Sequence, residues 1–244
     1  MSSDKNNQKH TGVITHSCVC AGLTQTSSSS ETGVGNLAQI ILPTFITSHG
    51  RFDYDRLHSV VKVIVYNLNK LIDVTSFPTR EAAYSNELHR PLSICVQGFA
   101  DALVALQIPF DSKDARDMNV GIAQTIYYAS LDSSCDLARK YGAYATFLGS
   151  PASRGFLQFD MWDIAPPITY LDWDSLKSDI KVYGLRNSIF VAHTPAIGTT
   201  ALTGYNEGFD PPTRCIVCLI HISIRLTRCQ AIFVFRGFVL EKSR

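Results

Sequence analysis

Two cysteines and a histidine lie close together near the amino terminus, in the stretch THSCVCAGLTQ at positions 15–25. His16, Cys18 and Cys20 carry zinc-binding atoms, but a structural zinc site needs four ligands at suitable spacing. Further potential ligands lie far along the chain: Cys215, Cys218 and His221. A redox dithiol is the second interpretation, although its usual spacing has two intervening residues. Coincidental free thiols are the third, and the spacing alone leaves all three open.

A second stretch with possible chemistry is VAHTPAIGTTALTG, positions 191–204. A predicted strand is followed there by small residues and a predicted helix start. Such a junction exposes backbone N–H groups at the positive end of a helix dipole, which suits a phosphate. No P-loop lysine and no GxGxxG motif is present, so a tight strand–helix turn without a ligand remains the alternative.

Two polar pairs are weaker candidates. His89 and Arg90 precede a proline and could hold an anion, although charged residues before a strand are more often part of a loop. Asn206 and Glu207 could contact a substrate or cap a helix, although a solvated loop is the commoner case.

Apolar periodicity predicts the elements that position these residues. Residues 36–46 contain a strand or another buried segment, and residues 1–34 are mostly loop. Four helices and two strands are predicted, with Asp53 or Asp55 and then Ser112 or Asp111 as amino-terminal caps. The helices are 53–73, 99–107, one within 112–141, and 172–184; the strands are 91–98 and 187–193. Helices flanking buried strands indicate an α/β architecture.

Composition limits the function classes. The chain has 244 residues, a formal net charge of +1, 45% hydrophobic and 18% charged residues. These values are typical of a globular protein and give no indication of nucleic-acid or membrane binding. The polar start lacks a signal-peptide core, and seven cysteines in such a chain fit free thiols. We therefore expect a cytoplasmic protein.

Several long segments together resemble one family, the large subunit of class I ribonucleotide reductase. They are VVKVIVYNLNKLIDV, SNELHRPLSICVQGFADAL and WDSLKSDIKVYGLRNSIFVAHTPAIGTTALTGYNEGFDP, within a match over roughly residues 5–213. The second is similar to the family's strand motif HRPIGIGVQGLADA. The resemblance implies the second half of a ten-stranded α/β barrel. It also implies the family reaction, the thiyl-radical reduction of ribonucleoside diphosphates to deoxyribonucleotides for DNA synthesis.

The resemblance also assigns roles near the two amino-terminal cysteines. The positions that match the family's loop pattern are Lys5, Asn7, Gln8, Gly12, Val13, Ile14 and Ser17. Cys20 then falls on the cysteine that becomes a thiyl radical, and Cys18 replaces a substrate-binding asparagine. Gly22 replaces the glutamate that acts as general base, and Gly35 replaces a reducing cysteine. We therefore expect this chain alone to be inactive.

The same resemblance implies a substrate phosphate site. Its loop corresponds to Pro195, Ala196, Ile197, Gly198 and Thr199, with Gly198 in place of a serine. Backbone N–H donors need no side chain, so phosphate binding could survive this change. Asn206 and Glu207 match a run in the family.

The partners implied by the resemblance are a ribonucleoside diphosphate, the reductase small subunit and a second copy of the large subunit. We expect no metal and no directly bound cofactor. The family needs the radical of a di-iron small subunit and a thioredoxin or glutaredoxin reductant.

Three parts are expected along the chain: a loop at 1–35 with the radical cysteine, a partial barrel at 36–213, and an unrelated tail at 214–244. The tail carries six basic residues and one acid. We hypothesise that it results from a frameshift or an unspliced intron. The alternative function is an inactive remnant, or a scaffold that binds a nucleotide or a partner.

Overall fold

A computed structural model describes residues 4–14, 17, 22–166, 170–194 and 197–211. It combines helices with a small parallel sheet, which confirms the α/β class. The strands are β1 (Asn36–Ile41) and β2 (Leu92–Gln97). The α-helices are α1 (Tyr54–Val74), α2 (Arg80–His89), α3 (Phe99–Ala105), α4 (Lys113–Tyr141), α5 (Gln158–Met161), α6 (Trp173–Tyr183) and α7 (Ile197–Thr203). Short 3-10 helices cover Leu42–Phe45 and Ala152–Arg154.

The two strands form a parallel pair, connected by α1 and α2. Their register runs from Asn36 opposite Leu92 to Ile41 opposite Gln97. Because side chains alternate along a strand, each strand has one face toward the core and one away from it. Ile40 and Ile94 face the core and are at most 2% exposed.

The predicted strand at 187–193 is wrong as a regular strand. In the described structure, only a parallel bridge between Val191 and Ile94 forms there. Leu92 N–H donates to the carbonyl of Ile189, and Ile94 N–H donates to that of Phe190. These acceptors are consecutive residues, whereas a regular ladder uses alternate ones. The segment therefore follows β2 without continuing its pattern.

Helices α1 and α4 pack against each other and against the core face of the strands. Both begin where the sequence predicts. Asp53 accepts a hydrogen bond from Arg56 N–H and Ser112 accepts one from Ala115 N–H, which are amino-terminal caps. Helix α4 ends at Gly142, whose φ of 84° favours glycine.

A buried amide network connects these helices to the segment after α6. The side chains of Asn69 on α1 and Asn187 donate to each other's carbonyl oxygens at 3.0 and 3.1 Å. Asn187 also accepts from Ser134 of α4 at 3.0 Å and donates to the carbonyl of Arg90 at 2.8 Å. All four hydrogen-bonding positions of this amide are therefore used, and the residue is fully buried.

We expect Asn187→Ala to lower the free energy of unfolding by roughly 3 kcal/mol, because it leaves several buried polar groups without a partner. Urea denaturation followed by circular dichroism measures this change. Asn67→Ala, at an exposed position of α1, is the matched control and should change stability by less than about 0.5 kcal/mol. Equal effects of the two substitutions would contradict a structural role for the network.

Candidate functional site

The face of the strand pair opposite the core carries the candidate site, and we call it the site face. It consists of Leu37 and Gln39 on β1 and of Ser93, Cys95 and Gln97 on β2, with Gly35 immediately before β1. The three β2 side chains are completely buried, whereas Leu37 is 54% exposed. The site face is thus buried at β2 and partly exposed to solvent at β1.

The amino-terminal segment is attached to the start of the 188–194 segment. Gln8 is completely buried; its amide donates to Ser188 Oγ at 2.9 Å and accepts from Thr26 N–H at 3.1 Å. Asn7 donates to the carbonyl of Ser188 at 2.9 Å and accepts from Ala152 N–H at 3.1 Å. Two positions that match the family's loop pattern, Asn7 and Gln8, therefore anchor the amino-terminal segment to Ser188.

Gly22 and Gly35 are brought to the same region, on either side of Leu23. A Cβ added at Gly22 would lie 2.3 Å from the carbonyl oxygen of His193 and 3.0 Å from Thr194 Cγ2. A Cβ added at Gly35 would lie 2.9 Å from Leu23 Cδ2. Contacts of 2.3 and 2.9 Å are shorter than van der Waals packing permits. A larger side chain would therefore meet backbone atoms at Gly22 and the end of a side chain at Gly35.

Cys95 is a buried thiol on the site face that sequence reasoning did not single out. Its Sγ lies 2.9 Å from Thr194 Oγ1 and accepts a hydrogen bond from Thr194 N–H at 3.4 Å. The neighbouring Ser93 Oγ is buried without a hydrogen-bond partner. Both residues stand where the resembling family motif has glycine. That replacement was the available signal.

Of the predicted phosphate residues, Ile197, Gly198 and Thr199 are at the start of α7. A Cβ at Gly198 would have no atom within 4 Å, so the chain is open to its surroundings there. The hydroxyl of Thr199 donates a hydrogen bond to Gln39 Oε1. Pro195 and Ala196 lie outside the described residues, as do Cys18, Cys20 and the tail from 212 onward.

The zinc hypothesis also falls outside the described residues, because His16, Cys215, Cys218 and His221 are not among them. Within the described ranges, no group of three or more His, Cys, Asp or Glu side chains could hold a metal ion. No helix in that same part of the chain is long and apolar enough to cross a membrane.

Asn206 is fixed by Asp101 of α3. Both the backbone N–H and the side-chain amide of Asn206 donate to the Asp101 carboxylate at 2.7 Å. Burial raises the pKa of Asp101, and the two hydrogen bonds oppose that rise. This contact holds the segment after α7 against the end of β2.

His89 and Arg90 have intramolecular partners. His89 is 2% exposed and its ring nitrogens lie 2.9 Å from Glu31 Oε2 and 2.8 Å from Thr146 Oγ1. Arg90 donates to Asp73 Oδ1 at 2.7 Å. These contacts assign the pair a structural role and favour the loop interpretation over the anion site.

A cavity of about 860 Å³ is lined in part by Gly22 and by His193, the residue before Thr194. Aromatic side chains form much of its wall, among them Tyr127, Trp173 and Phe190. The cavity is large enough for a small ligand.

Comparisons with known proteins support the family resemblance. The family model described as the ribonucleotide reductase barrel domain matches residues 2–221. The ribonucleoside-diphosphate reductase large chain of Cryptosporidium parvum is 46% identical over 212 residues, covering 86% of this chain and 26% of that protein. The large subunit of Vaccinia virus is 47% identical over 209 residues, covering 86% and 27%. The chain thus spans about a quarter of the length of these relatives.

We expect Gly22→Ala to lower the free energy of unfolding by about 1–3 kcal/mol, because its Cβ would collide with the backbone at His193. Chemical denaturation monitored by fluorescence measures the change. Gly198→Ala is the matched control, since its Cβ meets no atom within 4 Å, and its stability should be unchanged or slightly higher. A Gly22→Ala variant as stable as Gly198→Ala would contradict the close approach.

Proposed function

Because the chain belongs to the ribonucleotide reductase large-subunit family, we propose that it forms part of the substrate chamber of a ribonucleoside-diphosphate reductase. The observation that carries this proposal is the course of the loop at Gly22–Leu23. Leu23 lies against Gly35, and Gly22 lies against Thr194, immediately before the 195–199 loop. The contact between Gly22, two residues after Cys20, and Thr194 supports the proposal that the radical cysteine and the phosphate loop belong to one site.

Cys20 is the residue that we propose as the radical position, two residues before Gly22. In the family reaction a thiyl radical removes the 3′-hydrogen of the ribose, and a carboxylate takes the proton of the 3′-hydroxyl. The 2′-hydroxyl then leaves as water, while a dithiol supplies two electrons and becomes a disulfide. A positioned general base contributes typically ~10²–10⁴-fold to such a step.

This chain lacks two of those groups at the expected positions. Gly22 has no carboxylate and Gly35 has no thiol, and neither position has room for a larger side chain without movement of its neighbours. We therefore propose that the chain binds a ribonucleoside diphosphate but does not turn it over by itself. Its role in catalysis would depend on the remaining parts of a complete large subunit.

The proposed phosphate site is the loop Pro195, Ala196, Ile197, Gly198 and Thr199. Its proposed ligands are the backbone N–H groups from Ala196 onward, because a proline has none. Support comes from the open surroundings of Gly198 and from the start of α7 at Ile197. The first N–H groups of a helix have no partner within the helix and favour an anion.

The proposed partners follow from the family. They are the reductase small subunit with its di-iron radical, a second copy of the large subunit, and a thioredoxin or glutaredoxin reductant. We propose a cytoplasmic location on the same basis.

Calorimetric titration with CDP and with cytidine tests the phosphate site. We expect CDP to bind at least about tenfold more tightly, because charge-assisted hydrogen bonds to a phosphate each contribute about 1.5–3 kcal/mol. Cytidine is the matched ligand without phosphates. Equal affinity for the two would reject the phosphate site.

A reductase assay with added small subunit and dithiothreitol tests the absence of turnover. We expect no deoxycytidine diphosphate above background, because the general base and one reducing thiol are missing. A complete large subunit from a relative, assayed in parallel, shows that the small subunit is competent. Product formation by this chain alone would overturn the inactive interpretation.

A further inference from the structure

Three threonines of the segment 194–203 each contact a polar side chain of the site face. Every contact joins residues about one hundred or more positions apart in the chain. The pairs are Thr194 with Cys95, Thr199 with Gln39, and Thr203 with Gln97.

The contacts at α7 form a chain of hydrogen bonds that is joined at Thr199 through that residue's covalent structure. Gln97 Nε2 donates to Thr203 Oγ1 at 2.7 Å. Thr203 Oγ1 donates in turn to the carbonyl of Thr199 at 2.9 Å. The hydroxyl of Thr199 then donates to Gln39 Oε1. The chain starts on β2, passes through α7 and ends on β1, so it ties the helix to both strands.

Cys95 fixes the segment before α7. Its Sγ lies within hydrogen-bonding distance of both the hydroxyl and the backbone N–H of Thr194. The sulfur is fully buried between β2 and the 192–194 segment. Thr194 and α7 therefore each have contacts to the strands, Thr194 through Cys95 and α7 through Gln39 and Gln97.

We propose that Gln39, Cys95 and Gln97 are positioning residues that fix the 194–203 segment on the site face. This inference rests on the proposed phosphate site for its functional consequence. A hydroxyl has a single proton, and that of Thr199 is directed to Gln39. The Thr199 side chain thus serves to hold α7, and a phosphate on this segment is bound through backbone N–H groups.

The side-chain environment supports a positioning role at Gln97. Its Oε1 is buried without a partner, whereas its Nε2 donates to Thr203. Gln97→Leu removes the donor together with this unpartnered acceptor, so it can release α7 without creating a new unsatisfied group. Gln39 is only half-buried, so Gln39→Leu should also fold.

Hydrogen–deuterium exchange tests the positioning role without any ligand. We expect amides of residues 198–204 to exchange about fivefold faster in Gln39→Leu and in Gln97→Leu, the factor for loss of one hydrogen bond. Thr203→Val, at the partly exposed residue between Gln97 and Thr199, should do the same and carries little risk for folding. Gln107→Leu, at an exposed position, is the matched control. Unchanged exchange in all three variants would overturn the proposal.

A double-mutant cycle tests the role of Thr199. Its readout is the ratio of cytidine to CDP dissociation constants, which a general loss of stability would not change selectively. We expect Gln39→Leu and Thr199→Val each to lower this ratio about fivefold, and the double variant to lower it no further. A Thr199→Val loss that adds fully to that of Gln39→Leu would show that the hydroxyl binds phosphate directly and would overturn this part.

The two proposals fail in different ways. If the wild-type chain binds CDP and cytidine equally, the phosphate site and the role of the segment in nucleotide binding are both rejected. The exchange experiment still decides whether the site-face residues hold α7.

Discussion

The reciprocal amide pair of Asn69 and Asn187 is the contact on which the position of the site depends. Asn187 stands at the start of the 187–194 segment, and its amide contacts α1, α4 and Arg90, the residue after α2. Buried hydrogen bonds have no water to replace them, so each partner is costly to remove. Asn187 therefore fixes the start of the segment that leads to Thr194 and α7.

The residues that hold the fold are largely separate from those that would do chemistry. The buried network uses Asn69, Ser134 and Asn187, none of which lies on the site face. Gly22 and Gly35 contribute no side chain to any of these contacts. A chain can therefore lose its general base and its reducing thiol and keep its architecture.

There is also little free space around Gly22 and Gly35. Leu23 lies 2.9 Å from the Cβ position of Gly35, and the carbonyl of His193 lies 2.3 Å from that of Gly22. A single substitution back to glutamate or cysteine would meet packed atoms rather than a vacant chamber. The replacements predicted at these two positions therefore involve packing as well as chemistry.

Sequence patterns predicted the parts of the fold that local physics determines. Helices α1 and α4 have long apolar stripes and capping residues, and both were predicted within one or two residues of their ends. Helix α2 was missed because its buried face consists of small and polar residues, although Thr79 was a usable cap signal. The 187–193 prediction failed because strand regularity depends on a partner's register, which no local pattern specifies.

The candidate site could be predicted only through the family resemblance. The resemblance gave the sequence positions of the site residues but not their contacts. That Gly22 and Gly35 replace a glutamate and a cysteine stays a prediction, whereas their closeness to His193 and Leu23 is a property of packing. The contacts of Gln39, Cys95 and Gln97 join residues far apart in sequence, so spacing alone could not indicate them. Under the proposed function, substrate binding and turnover are separable in this chain, because Thr194 and α7 are held by contacts to the chain's own strands.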